Sequence, residues 1–381
     1  MTTTQQVRLA EYTTLRLGGP AARFVAPPTE EDLIAAVAAA DREGDPVLVL
    51  GGGSNLVVAD AGFEGAVVRV ASAGAQFAAS DGSVEVAAAA GQDWDELVRQ
   101  CLAEGLSGIE CLSGIPGSVG ATPIQNVGAY GQEVAETITA VRAYDRQAGQ
   151  TVRLGPDDLD FGYRTSMFKR QAAAAGRDGW ARTRPTAGDA GPPPAAAATG
   201  RFVVLGVTFR LAEDPMSAPV RYAELARTLR VAEGTRVPVD DARSAVLELR
   251  RGKGMVLDDR DPESRSAGSF FTNPVVRATE YEALRERLGA SSRIPHWAAG
   301  PGEVKLSAAW LIEHAGFSKG FRLTDDPAGA RISTKHTLAL INPGEATTAS
   351  LIRLARTIRD GVRAEFGVEL VNEPTLVGVT L

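Results

Sequence analysis

Apolar positions along this chain recur with two periods, and the period sorts the elements. Between positions 29 and 42 Leu33, Ile34 and Val37 share one helical face; Thr29 is placed to cap that helix, and Asp32 supplies an acid at the third position. VLVL at 47–50 is a short, fully apolar strand, and AVVRV at 66–70 and VEVAAA at 84–89 read as strands as well. A turn followed by a strand is expected over 13–26, and a helix over 93–104 with Trp94, Leu97, Val98 and Cys101 on one face. Further strands fall near 137–145 and 202–211. Beyond Pro215 the pattern becomes more helical and more charged. Residues 239–251 place Ala242, Ala245, Val246 and Leu249 on one side of a helix, and a second helix lies near 279–288. HTLALIN at 336–342 reads as a strand. Residues 346–366 form an amphipathic helix through Leu351, Leu354, Ala355, Ile358, Val362 and Phe366. The chain closes on VNEPTLVGV, a strand interrupted by Pro374. Alternating strands and helices followed by more strands predict an α+β architecture.

Two stretches carry no such period. Residues 171–200 are dominated by Ala, Gly and Pro and end in GPPPAAAATG, so a disordered or loosely held insertion is expected there. Residues 108–131, GIECLSGIPGSVGATPIQNVGAYG, have one acid, Glu110, and no base. Gly114, Gly117, Gly120, Gly128 and Gly131 leave backbone N–H groups open to close approach, because glycine has no Cβ. Ser113, Ser118, Thr122, Gln125 and Asn126 add short neutral donors and acceptors. Such a segment suits a flat, polar, anionic cofactor gripped mainly by backbone. The strand at 47–50 runs into a second glycine-rich loop, Gly51-Gly52-Gly53-Ser54-Asn55, whose successive N–H groups can wrap a pyrophosphate. It is not the GxGxxG fingerprint, since Leu56 stands where the third glycine belongs, and no Gly-Lys-Ser/Thr follows to make a P-loop.

Composition narrows the function classes. The 381 residues are 44% hydrophobic and 23% charged, as in a soluble globular protein of two or three domains. A net charge of −7 disfavours a nucleic-acid partner. Cys101 and Cys111 make neither a disulfide framework nor a metal-site spacing, and read as buried free thiols. The N-terminus has no apolar signal region and no stretch is long and apolar enough to span a bilayer, so no membrane insertion and a cytoplasmic location are expected. No His/Asp/Glu cluster argues for a metal.

The string IPGSVGATPIQNVGAYG closely resembles the flavin-contacting segment of the UDP-N-acetylenolpyruvoylglucosamine reductase (MurB) family, in the branch that carries a substrate-closing tyrosine. GGGSN is similar to the pyrophosphate loop of the flavoprotein fold this family shares with vanillyl-alcohol-type oxidases. YRTSMFK is similar to the family's YRxSxFK, and AGSFFTNPVV to its GSFFxNP. These motifs stand in the family order from about Thr13 to Val379.

The resemblance implies an FAD-binding fold of the vanillyl-alcohol-oxidase type, in two subdomains at 1–70 and 71–214, and a C-terminal substrate-binding domain at 215–381. It implies non-covalent FAD held by Gly51, Gly52, Gly53, Ser54, Asn55, Leu56, Gly117, Ser118, Gly120, Ala121, Gln125, Asn126 and Gly128. NADPH is the implied hydride donor and an enolpyruvyl ether of UDP-N-acetylglucosamine the implied small-molecule substrate, reduced to UDP-N-acetylmuramate for peptidoglycan. Arg164, Ser269 and Glu373 carry over as catalytic, with Ser269 the proton donor; Glu373 is matched by its distance to Gly378, although Pro374 follows it where the family commonly has acid–proline–acid. Tyr130, Tyr222, Lys253, Asn273 and Lys305 carry over as substrate contacts. Oxidases of the same fold often anchor flavin through a histidine. The only histidines here are His296, His314 and His336, all in the last third, which favours a non-covalent cofactor independently. Two alternatives stay open: another FAD-dependent oxidoreductase of the same fold, and a flavin-binding sensor without turnover.

Overall fold

The structure is a computed structural model that describes residues 7–178, 199–289 and 293–381. It divides into two compact units. The first comprises residues 1–12, 19–53 and 61–256, and the second 13–18, 54–60 and 257–381.

The first unit holds a four-stranded and a six-stranded sheet, besides a short pairing of Gly128–Ala129 with Gln132–Glu133. In one, the parallel strands Pro20–Val25, Phe63–Arg69 and Val47–Leu50 lie side by side, with Val7–Arg8 antiparallel at the edge. The helix Glu30–Glu43 belongs to it and begins as its sequence predicts, with Thr29 Oγ1 accepting from Asp32 N–H. The second sheet is antiparallel, in the order Gln150–Leu154, Ile138–Asp145, Phe202–Glu213, Ser83–Ala89, Ala75–Ser80. Its inner face meets the helix Trp94–Ala103, whose Trp94, Leu97, Val98 and Cys101 are buried among Val86, Val141, Val207 and Phe209. Both cysteines are free and buried.

The helices Ala223–Leu229 and Val239–Gly252 belong to this unit. Leu225, Ala242 and Val246 form a small core with Val220 and with Cys111 of the glycine-rich stretch. The chain passes from the first unit to the second at 256/257, whereas the sequence leads one to expect a C-terminal domain from 215. The composition shift at Pro215 marks a change from strand to helix within one unit.

Of the stretch 171–200, expected as a loose insertion, the two ends are described and both are structured. Residues up to Asp178 continue the helix Met167–Asp178, and Thr199 is tied down: its hydroxyl accepts from Val49 N–H at 2.6 Å and its carbonyl from Arg146 at 2.8 Å. The remainder, 179–198, lies outside the described residues.

The second unit packs the long helix Thr348–Phe366 on a three-stranded sheet, Ser266–Ser269, Ala339–Ile341, Arg331–Ile332. The strand expected over 336–342 shrinks to Ala339–Ile341. A second three-stranded sheet orders Val275–Arg277, Glu303–Leu306, His296–Gly300. Segments from early in the chain complete this unit. Leu56–Val58 pairs in parallel with Thr375–Val377, which starts just after Pro374. Asp60 accepts from Thr348 and Ala349 N–H, at 2.8 Å each, where a carboxylate neutralises the helix start. Among the described residues no helix is long and apolar enough to cross a membrane.

Candidate active site

In the first unit the two glycine-rich loops lie backbone against backbone. A Cβ on Gly52 would stand 2.6 Å from Gly117 Cα, and one on Gly51 would stand 2.5 Å from Ser118 Oγ. A Cβ on Gly120 would strike Ala90 at 2.5 Å. These glycines are required first by the packing of the protein on itself.

That packing corrects one expectation. The N–H groups of Gly114, Val119, Gly120 and Ala121 are not open: they donate to Asp95, Gln92 O, Ala90 O and Ser118 O. The open row lies in the other loop. Among the described residues, no protein group accepts from the backbone N–H of Gly51, Gly52, Gly53 or Ser54. Four successive donors at the end of a parallel strand fit the pyrophosphate of a dinucleotide.

The FGYRTSMFK segment closes on the glycine-rich stretch through its motif residues. Arg164, with backbone in the left-handed region at φ 53°, donates to Gly128 O at 2.7 Å. Ser166 Oγ donates to Ile124 O at 2.5 Å, and Lys169 Nζ to Gln125 Oε1 at 3.0 Å. Asn126, buried, answers from the other side: its amide donates to Glu133 and to Gly162 O, and its oxygen accepts from Ala135 N–H. Its side chain is committed to the protein, so Asn126 positions the loop and offers a ligand only its backbone.

A third cluster gathers around Tyr130. Its ring meets that of Tyr222 edge to face at 5.4 Å, and Lys253 Nζ lies 5.5 Å from its centroid. Lys253 also pairs with Glu224 at 2.5 Å. Burial pushes the Tyr130 hydroxyl up to about 12 and raises Tyr222 as well, with the Glu224 charge adding to both, so both remain donors at neutral pH. Behind them Arg250 is buried, donates to Met255 O, and leaves Nε without a partner among the described residues. Burial would raise Asp95, but Arg243 and the Gly114 N–H outweigh it and hold the carboxyl low.

Glu110, the only acid of its stretch, has a structural role that its sequence position leaves open. It is fully buried, accepting from Gly108 and Ala218 N–H and from Gln132 Nε2, all within 2.8 Å. One carboxylate thus ties the root of the Tyr130 turn to the chain leading into Tyr222. The signal was there: a lone charge in an uncharged run needs a buried partner set.

In the second unit, Ser269 ends its strand opposite Ala339, after Gly268 at φ 72°. The C-terminal segment runs alongside: Glu373 N–H donates to Phe270 O at 2.9 Å and Thr272 N–H to Val371 O at 3.0 Å. Glu373 is therefore one residue out of step with Ser269 across a backbone pair. Thr375 N–H donates to Asn55 O, so Ser54, Asn55 and Leu56 reach the same end of the second unit. Asn273 accepts from Ala308 N–H at 3.0 Å, and Lys305 lies across from Val275 and Trp297.

Comparison with known proteins decides what kind of site this is. A family model described as UDP-N-acetylenolpyruvoylglucosamine reductase, C-terminal domain, matches residues 261–377, and one for an FAD binding domain matches residues 21–155. The UDP-N-acetylenolpyruvoylglucosamine reductase of Thermobifida fusca is 52% identical, covering 99% of this chain and 98% of its own. That of Saccharopolyspora erythraea is 52% identical, covering 98% and 95%. The chain belongs to the UDP-N-acetylenolpyruvoylglucosamine reductase family. A crystal structure of the Thermus caldophilus member of this reductase family matches with a TM-score of 0.60 at 27% identity, covering 98% of this chain and 99% of that one. The FAD-binding match spans both glycine loops, and the reductase C-terminal match begins just past the division at 256/257. The α+β reading and the flavoprotein reading hold on these grounds.

Proposed function

We propose that this protein reduces the enolpyruvyl ether of UDP-N-acetylglucosamine to UDP-N-acetylmuramate, with NADPH as donor, acting in the cytoplasm on the path to peptidoglycan. FAD, which the two glycine-rich loops would hold without a covalent link, would supply the hydride-transfer chemistry between the two substrates. The row of free N–H groups from Gly51 to Ser54, braced by Gly117 and Ser118, would hold the cofactor's pyrophosphate; Asn55, Leu56, Gly120, Ala121, Gln125, Asn126 and Gly128 would shape the rest of its bed.

Ser269 donates the proton that completes the reduction at carbon. A serine hydroxyl is a weak acid, so its alkoxide needs stabilisation as it forms. Arg164 and Glu373 act on the enolic carboxylate: the guanidinium fork binds it, and the glutamate sets the charge and proton balance around it. Tyr130, Tyr222, Lys253, Asn273 and Lys305 bind the sugar nucleotide. The observation that carries this reading is the row of backbone N–H groups at the Gly51–Gly53 loop, inside the span matched by the FAD-binding model; the bond from Glu373 N–H to Phe270 O sets Glu373 opposite Phe270, one residue from Ser269.

The test is anaerobic. NADPH should bleach the flavin absorbance of the purified protein, and the UDP-enolpyruvyl sugar should then restore it. Bleaching without restoration would leave an NADPH-reducible flavoprotein with a different acceptor, and the proposed function would fall.

A further inference from the structure

The carboxylate of Glu224 stands where an anionic ligand would be wanted. It accepts from Lys253 Nζ at 2.5 Å, beside the Tyr130 ring and two residues after Tyr222 in sequence. The two tyrosine hydroxyls and the ammonium are the donors of this cluster, and Glu224 is the anion paired with its lysine. The pair is only partly buried, with side-chain exposures of 26% and 32%, so solvent can accept either partner when they part. A diphosphate approaching Lys253 therefore meets a site already neutralised, and must displace a carboxylate before it gains the lysine's full charge.

We propose that Glu224 is a built-in competitor for the nucleotide diphosphate: it holds Lys253 in place while the site is empty, swings away on binding, and so sets the affinity for the sugar nucleotide below what Lys253, Tyr130 and Tyr222 alone would give. This rests on the reading of Lys253 as a diphosphate contact. It makes physical sense for a site that must release one nucleotide before the next step: a placeholder anion keeps the lysine positioned and lowers the penalty of emptying the site. An ion pair of this exposure is weak, so the competition is a modest one.

The experiment uses the FAD-loaded full chain and UDP, a diphosphate nucleotide that cannot react. In Glu224→Gln, UDP should bind about three- to ten-fold more tightly than in the parent, with the gain shrinking as salt is added. Tightening is the diagnostic sign, because general damage to the site weakens ligands. Glu224→Ala should tighten UDP to a similar degree, which keeps the inference testable if the glutamine variant folds poorly. In a Lys253→Met background the gain should vanish. Unchanged or weakened UDP binding in both Glu224 variants overturns the inference while leaving the proposed function standing. If Lys253→Met alone leaves UDP affinity at the parent value, the diphosphate assignment of Lys253 falls, and the inference with it. NADP+ is titrated in parallel; tightening confined to NADP+ would assign the competition to the other nucleotide and overturn it for the sugar nucleotide.

Discussion

At Gly52 the first unit has no room for a single carbon, whereas at Gly252, in the same unit, an added Cβ would meet nothing within 4 Å. Likewise Ala121 and Asn126 contribute to the glycine-rich loop by what they bond within the protein, whereas Ser269 in the second unit is of interest for its hydroxyl. The cofactor bed is specified by excluded volume and by backbone donors. The proposed chemistry on the second unit is specified by functional groups on a paired strand edge. Substitutions should therefore fail in different ways: in the glycine loops by loss of the bed and its cofactor, at Ser269 by loss of one step with the cofactor retained.

The largest effect is expected at Gly52→Ala. The new methyl would press on Gly117 Cα, a backbone atom that cannot turn aside, and such overpacking costs about 1–3 kcal/mol. Because the displaced loop is the one with the free N–H row, FAD affinity should fall by roughly ten-fold or more, and both half-reactions with it. The ratio of flavin to protein absorbance after purification measures this. A fully loaded Gly52→Ala protein would show that the loops can separate without harm.

Next in size is Ser269→Ala. Flavin content and bleaching by NADPH should stay at parent values, while reoxidation by the sugar nucleotide slows by about 10²–10⁴-fold, the usual worth of general acid catalysis. Stopped-flow absorbance reads each half separately. Equal slowing of both halves would make Ser269 a residue that shapes the site, and the contrast between units would lose its sharpest case.

Tyr222→Phe should be milder. Removing one hydroxyl donor costs about 0.5–1.5 kcal/mol, somewhat more toward a charged acceptor, so KM for the sugar nucleotide should rise several-fold with little change for NADPH. Equal changes in both constants would leave Tyr222 as a packing partner of Tyr130 only.

The smallest effects are expected where the first unit is roomy or sealed. Gly252→Ala, at the end of its helix, should leave flavin content unchanged and raise thermal stability by no more than about 1 kcal/mol. Cys101 and Cys111 are a matching case: burial pushes Cys101 up to about 12 and raises Cys111 too. A raised thiol pKa means the reactive thiolate is absent below it, so thiol reagents at pH 8 should label neither until the protein is unfolded. Rapid labelling of the native protein would show that the first core opens.

The sequence was legible where local chemistry and tertiary packing agree. The cap at Thr29, the strand at 47–50 and the helix expected over 346–366, observed as Thr348–Phe366, were readable because each has a period or a boundary residue that needs no knowledge of its neighbours. The helix Met167–Asp178 was missed although alanine is the best helix former, because its alanines were grouped with the glycines and prolines beyond them. The boundary at 256/257 left no mark in composition, since it is set by which core Val220, Leu225 and Val246 join. In the site, glycine positions were legible but the reason for them was only half so: their spacing suggests ligand contact, and only the folded chain reveals that Gly52 and Gly120 are confined by the protein itself. YRTSMFK was legible as a motif for Arg164; that Ser166 and Lys169 tie the same segment to Ile124 and Gln125 depends on a partner some 40 residues away in the chain.

The two early segments at 13–18 and 54–60 have a consequence for how the gene can be cut. Leu15, Leu17 and Val57 are buried in the core of the second unit, and Thr14 Oγ1 donates to Ser266 O at 2.6 Å. A fragment ending at Val256 would carry those apolar side chains with nothing to cover them, and a fragment beginning at Leu257 would have gaps where they belong. Neither half is a module that could be lent to another protein. Exchange between relatives should succeed only when the short segments travel together with the C-terminal part, so the inheritable unit here is discontinuous along the chain.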